Sequence, residues 1–166
     1  MNTENIAKSV HQRLLNIRDT TGEEFNHLLM RYGLERLLYR IQAAGHAETF
    51  VLKGAMLFAL WHDVPGRPTR DIDLLGFGDS LTPEPQQIDY PAILDYPAPR
   101  LRAYHPATVV AEKLNATVVL GALNSRMKDF YYMHVILAHM DIDDDLLRDA
   151  IRATFERRNV PLPKEP

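Results

Sequence analysis

The sequence predicts an α/β (α+β) fold, in which short strands lie among flanking helices and a helical part completes the C-terminus. Three observations predict this class. Apolar residues recur at helical spacing over 22–45, and a short apolar run over 49–52 leads directly into Lys53-Gly54. Residues 105–158 contain three further helical stretches. Short apolar runs bounded by turn residues are typical of strands, whereas longer periodic stretches are typical of helices.

Capping and turn residues set the boundaries of most elements. Gly45 and Gly121 stand where a helix can end in a left-handed turn, and Pro106 suits a first helical turn. The consecutive acids at 143–145 suit a helix N-terminus. The resulting prediction comprises helices over about 5–17, 22–45, 55–61, 105–121, 124–140 and 143–158, and strands over 49–52, 70–75 and 100–104.

Length and composition predict a single domain over 1–166, with helices and motif-bearing strands in 1–99 and a helical part in 100–166. The chain is 46% hydrophobic and 25% charged, which is ordinary for a globular domain. It has no cysteine, so disulfide frameworks and Cys-ligated zinc sites are excluded. No apolar run approaches the roughly 18 residues of a membrane span, and we expect a cytoplasmic protein with no membrane partner.

The net charge of -3 argues against a uniformly basic surface that coats nucleic acid. The clearest basic cluster is formed by Arg148, Arg152, Arg157 and Arg158. Charges at helical spacing usually form a solvated face, and we interpret this cluster in that way.

Asp71 and Asp73 are the first candidates for chemistry. On a strand over 70–75 they share one face, roughly 6 to 7 Å apart, while Ile72 and Leu74 face the core. Such a pair can hold Mg²⁺, which prefers hard oxygen ligands and completes its shell with substrate phosphates. The alternative is an exposed edge strand whose outer face carries two acids.

Four segments, in order, carry a resemblance to a known family. They are Phe50–Leu57, Arg67–Leu75, Val109–Leu114 and Asn124–Tyr131. The sequence resembles the AbiEii nucleotidyltransferase toxins at all four. The resemblance implies a DNA polymerase β-like nucleotidyltransferase fold with a small mixed sheet, and transfer of a nucleotide from an NTP to an acceptor. Related toxins modify tRNA ends, so tRNA or another RNA is the expected acceptor. The resemblance also implies that this chain has a partner antitoxin.

The same resemblance implies roles for individual residues. Asp71 and Asp73 would be catalytic metal ligands for Mg²⁺, Lys113 would contact the triphosphate, and Asp129 would complete the catalytic group. Each has a plainer alternative, because Lys113 suits a helix surface and the residues around Asp129 suit a capping cluster with salt bridges. The implied substrate-binding residues are Lys53, Gly54, Thr69, Arg70, Arg126 and Lys128.

The resemblance also indicates an internally shortened member. The sequence Gly-Phe-Gly-Asp occurs once, at 76–79, where the family tends to have two such turns, and the Pro-rich segment over 80–99 follows at once. A third metal-facing carboxylate is then missing or replaced by Asp79, Asp89 or Asp95. Lost strands leave uncovered surface, so we expect a homodimer, either with or without exchanged elements. The alternative function is a catalytically deficient module that binds nucleotide, antitoxin or itself.

Aromatic residues at the start of the helix over 124–140 have two interpretations. Phe130, Tyr131 and Tyr132 could stack on a nucleobase, but aromatic residues in an apolar helix usually belong to the core. A more remote alternative is a helical interaction protein in which the two acids are incidental.

Overall fold

The chain folds as a helical hairpin, a small sheet and a C-terminal helical layer, described by a computed structural model for residues 3–61, 69–76, 80–121 and 125–163. This arrangement confirms the predicted α/β (α+β) class. In order, the elements are α1 (Thr3–Thr21), α2 (Phe25–Ala43), β1 (Val51–Lys53), a 3₁₀ helix (Gly54–Ala59), β2 (Asp73–Leu75), β3 (Gln86–Asp89), β4 (Arg100–Ala103), α3 (Pro106–Leu120), α4 (Met127–His139) and α5 (Asp144–Arg157).

The sheet is mixed and has the strand order β2-β1-β4-β3. Strand β1 is antiparallel to β2 and parallel to β4, and β3 is antiparallel to β4. The register pairs Lys53 with Asp73 at one end of β1 and Val51 with Leu75 at the other. The Lys-Gly motif and the second acid of the acidic motif therefore lie side by side on neighbouring strands.

Helix α3 begins at the same edge of the sheet. The Tyr104 N–H, directly after β4, donates to the Leu52 carbonyl of β1 at 2.9 Å. His105 then caps the helix, because its Nδ1 accepts from the Ala107 N–H at 3.1 Å. Gly121 ends the helix with a positive φ of 53°. The predicted start and end of this helix are thus confirmed.

The main core lies between the sheet and the C-terminal helices. Leu52, Leu57 and Ile136 are fully buried there, and Ile72 and Leu74 pack against the same cluster. The prediction that these last two residues face the core is therefore confirmed.

Aromatic residues of α4 divide between the core and the surface. Tyr132 is 3% exposed, whereas Phe130 and Tyr131 are 39% and 48% exposed. The core interpretation therefore holds for Tyr132 alone.

Helices α1 and α2 form a second core with part of the Pro-rich segment. Leu14 and Leu28 are fully buried and pack with Leu94. Glu35, which is 2% exposed, accepts from the Ile93 N–H at 2.7 Å, and Arg36 donates to the Pro97 carbonyl at 2.7 Å. Side chains of α2 therefore bind the backbone of this segment at Ile93 and Pro97.

Three local predictions were wrong. Residues 86–89 form strand β3, which was not predicted. This strand pairs with β4, and the polar residues Gln86 and Gln87 give no local signal for such a long-range contact. The segment after Lys53 is a 3₁₀ helix over Gly54–Ala59, not an α-helix over 55–61. Strand β2 begins at Asp73, so it does not include 70–72.

Candidate active site

A cavity of about 640 Å³ opens between the end of β1, the length of α3, the start of α4 and the end of α5. Its volume is within the range of small-molecule and cofactor sites. Six of the residues implied by the four motifs line it: Lys53, Gly54, Asp73, Lys113, Arg126 and Asp129. The structure thus brings together residues that lie up to 76 positions apart in the sequence.

Asp73 lies directly against the backbone of Gly54. A Cβ added to Gly54 would stand 2.1 Å from Asp73 Oδ2, and the glycine has a φ of +77°. Only glycine provides both this conformation and this close approach without strain. Gly54 therefore determines where the Asp73 carboxylate lies in the cavity.

Asp71 is placed differently from Asp73. It is exposed, lies two residues before β2, and its N–H donates to Thr69 Oγ1 at 3.3 Å. The prediction that both acids project from one strand is wrong. The reason is the register, because Lys53 and Asp73 form the last pair and β1 then turns into the 3₁₀ helix, leaving 71–72 without a partner strand.

Other implied residues lie outside the cavity wall. Thr69 is partly buried and Arg70 is exposed, both ahead of β2, and Lys128 is exposed on the first turn of α4. Within the described ranges, the residues that line the cavity do not include these three or Asp71.

Asp129 is the centre of a buried ion-pair group. Its side chain is 2% exposed, and it contacts Lys113 Nζ and Arg126 Nε, each at 2.9 Å. Lys113 Nζ also lies 4.9 Å from the centroid of the Tyr132 ring. Salt bridges were the plainer interpretation of these residues, and the structure places the same bridges in the wall of the cavity.

A second ion-pair group was not anticipated from the sequence. Glu112 accepts from Arg157 at 2.6 Å, from Arg158 at 3.2 Å and from the Tyr104 hydroxyl at 3.3 Å. Burial, and then the Glu112 charge, raises the pKa of the Tyr104 phenol, which therefore stays protonated and able to donate. Tyr104, Glu112 and Arg158 line the cavity.

A sequence signal for this second group existed. Glu112 and Lys113 are the only charged residues of α3, and they are consecutive in an otherwise apolar and small-residue helix. Two isolated charges in such a helix need partners from other elements, because burying an unpaired charge is costly.

Asp73 is the carboxylate of the acidic motif that lines the cavity, and Asp71 lies two residues earlier, ahead of β2. Among the residues that the structure describes, no group of three or more His, Cys, Asp and Glu side chains gathers as a metal site. The cavity therefore offers the carboxylate of Asp73 as an oxygen ligand for a hard cation, and such a cation would need further ligands such as Asp71, water or phosphate oxygens.

The predicted substitutes for a third carboxylate lie elsewhere or outside the described ranges. Asp89 is on β3. Strands β1 and β4 lie between β3 and β2, so β3 and β2 are roughly 14 Å apart at normal strand spacing. Asp95 pairs with Arg13 of α1. Asp79 belongs to residues that the structure does not describe.

Within the described part of the chain, no helix combines the length and the apolar character needed to cross a membrane.

Comparisons with curated proteins and with solved structures found no match. A family model, described as nucleotidyl transferase AbiEii toxin of a type IV toxin–antitoxin system, matches residues 36–80 and 75–166. The two matches overlap at 75–80 and together cover most of the chain. This chain therefore belongs to the AbiEii family of nucleotidyl transferase toxins of type IV toxin–antitoxin systems.

Proposed function

We propose that this chain is a Mg²⁺-dependent nucleotidyltransferase toxin that moves a nucleotide from an NTP to an RNA acceptor, with tRNA as the first acceptor to test. One observation supports it above the others: the Asp73 carboxylate lies against Gly54 in a cavity that also contains Lys113, Arg126 and Asp129. Carboxylates for a hard cation and fixed cations for phosphate oxygens are the groups that this chemistry needs.

Mg²⁺ held by Asp73 and Asp71 would neutralise charge on the phosphate oxygens. In the proposed reaction an acceptor hydroxyl oxygen bonds to the α-phosphorus, the bond to pyrophosphate breaks, and the hydroxyl proton passes to water. Lys113 and Arg126 place positive charge where the pyrophosphate charge develops. Asp129 fixes both cations before substrate arrives, so little reorganisation is needed during the transfer.

The test is incorporation of α-phosphate label from each NTP into total tRNA in the presence of Mg²⁺. We expect labelled RNA with the wild-type chain and background labelling with the Asp71→Ala, Asp73→Ala double variant, since both protein ligands of the cation are then lost. Circular dichroism of the variant checks that it is folded. Equal labelling by the two proteins would refute the proposed enzyme.

A second candidate is a catalytically deficient module that binds nucleotide, antitoxin or itself. The family matches this chain in two parts that overlap at 75–80, and two separate parts are expected if the chain is an internally shortened member. Calorimetry separates the two candidates. Mg²⁺-dependent NTP binding that the double variant lacks, without RNA labelling by the wild type, would identify the binding module.

We also propose a homodimer that uses the outer face of α4. Met127, Phe130 and Leu137 follow one another at helical spacing and are 70%, 39% and 50% exposed. Light scattering after size exclusion should give twice the 19.0 kDa of one chain, and Leu137→Glu should lower the mass to that of one chain. A wild-type monomer at micromolar concentration would exclude the dimer.

The cognate antitoxin is the other partner that membership of the family leads us to propose.

A further inference from the structure

The cavity has a second cationic wall, separate from the group around Asp129. Arg158, just after α5, lines the cavity and contacts Glu112 Oε2 at 3.2 Å, with its side chain 50% exposed. Arg126 on the other wall has the same features, since it is 50% exposed and is held by the carboxylate of Asp129. Each wall therefore presents a guanidinium that a carboxylate holds in place and that solvent still reaches.

Arg157 is sufficient to join α5 to Glu112. Its guanidinium contacts Glu112 Oε1 at 2.6 Å, and both side chains are 17% exposed. The longer and more exposed contact of Arg158 adds little to that junction, because exposed ion pairs contribute little stability. An arginine in this position is better explained by a ligand than by packing.

Asn115 adds a second donor to the same region. It is 6% exposed, lines the cavity one helical turn after Glu112, and its Nδ2 has no hydrogen-bond partner among the described residues. A buried amide donor normally has an acceptor, from protein, water or ligand. Guanidinium and amide donors together are suited to the oxygens of a phosphate group.

We propose that Arg158, positioned by Glu112 and assisted by Asn115, binds phosphate oxygens in the cavity. Arg158 is the ligand-contacting residue, and Glu112 is a positioning residue. The phosphate belongs either to the NTP or to the acceptor strand, and the chemistry of recognition is the same for both. This inference rests on the proposed function for the identity of its ligands, although the phosphate chemistry is tested separately below.

The first test uses inorganic tripolyphosphate and calorimetry, so that it does not depend on activity. Arg158→Ala should weaken tripolyphosphate binding by about tenfold, the effect of losing a charged hydrogen bond. Arg158→Lys should recover part of the affinity, because lysine keeps the positive charge but cannot make the bidentate hydrogen bonds of a guanidinium. Arg152→Ala is the matched control, since Arg152 is on α5, is 64% exposed and pairs with Asp149 at 3.6 Å.

The second test identifies the source of the phosphate. In the RNA-labelling assay, a raised KM for NTP in Arg158→Ala assigns the residue to the triphosphate, and a raised KM for RNA assigns it to the acceptor. Glu112→Gln should move the same KM in the same direction, with a smaller effect. The melting temperature of Arg158→Ala should agree with that of the wild type as closely as that of Arg152→Ala does, whereas Glu112→Gln should lower it because the pair with Arg157 is weakened.

Unchanged tripolyphosphate binding by Arg158→Ala would overturn the inference, whether or not the wild type labels RNA. If the wild type is an enzyme, unchanged KM values for both NTP and RNA would overturn it as well. Tripolyphosphate binding that depends on Arg158, in a wild type that labels no RNA, would support the inference and refute the proposed enzyme. Failure of the inference about Arg158 is therefore distinguishable from failure of the proposed nucleotidyltransferase activity.

Discussion

Replacing Asp129 with alanine is expected to lower the free energy of unfolding by about 3 kcal/mol, the lower end of the cost of breaking a buried ion pair. The side chain is 2% exposed and holds Lys113, which is itself only 18% exposed. Removing the carboxylate leaves that ammonium in the wall of the cavity without its partner. Arg126 is half exposed, so water compensates for most of the lost ion pair between Arg126 and Asp129. Urea denaturation measures the change, and the melting temperature should fall by about 6–12 °C.

Asp149→Ala provides the control for that substitution. Asp149 is also a helical aspartate paired with an arginine, but it is 60% exposed and its contact with Arg152 is 3.6 Å long. Its loss should cost less than about 1 kcal/mol. Asp129→Asn, which keeps the shape of the side chain, should resemble Asp129→Ala. A loss for Asp129→Ala no greater than that for Asp149→Ala would contradict the central position assigned to this carboxylate.

Replacing Gly54 with alanine should reduce nucleotide transfer by about a hundredfold while the chain stays folded. The new Cβ would lie 2.1 Å from Asp73 Oδ2, so the carboxylate has to move by about 1 Å or more, and a misplacement of that size costs about that factor in rate. The positive φ of 77° adds roughly 1 kcal/mol of backbone strain. RNA labelling measures the first effect and urea denaturation the second.

Gly33→Ala makes the same chemical change where the structure has room for it. Gly33 lies in α2, its φ is not in the left-handed region, and no atom lies within 4 Å of an added Cβ. This substitution should raise stability by about 0.5–1 kcal/mol and leave labelling unchanged. Wild-type labelling by Gly54→Ala would show that the position of Asp73 against Gly54 does not matter for the reaction.

Local chemistry determines the helices well enough for prediction. Asp143 accepts from the Leu146 N–H at 2.9 Å and caps α5, as the run of acids indicates. Strand β3 was missed because its sequence is polar and its pairing partner lies more than ten residues away. Asp71 was misplaced because the end of β1, and not the alternation of the acidic motif, decides where β2 can begin.

The candidate site was predictable to the extent that family motifs contain it. Lys113 and Asp129 were named from separate motifs, and the structure joins them at 2.9 Å. Arg158 was interpreted as part of a solvated face because helical spacing alone cannot show that Glu112 of another helix holds it beside a cavity. Pairing between distant elements is the information that single-sequence periodicity does not carry.

The hydrogen bond from the Tyr104 N–H to the Leu52 carbonyl has a mechanical consequence. It joins the residue before the α3 cap to the end of β1, next to Lys53 and Gly54. Helices α4 and α5 contribute their residues from the far side and have no such backbone link to β1 among the described residues. The wall that carries Lys53 and Gly54 is therefore joined to α3 by a backbone hydrogen bond, whereas the walls that carry Arg126 and Arg158 are joined to α3 through the side chains of Lys113 and Glu112.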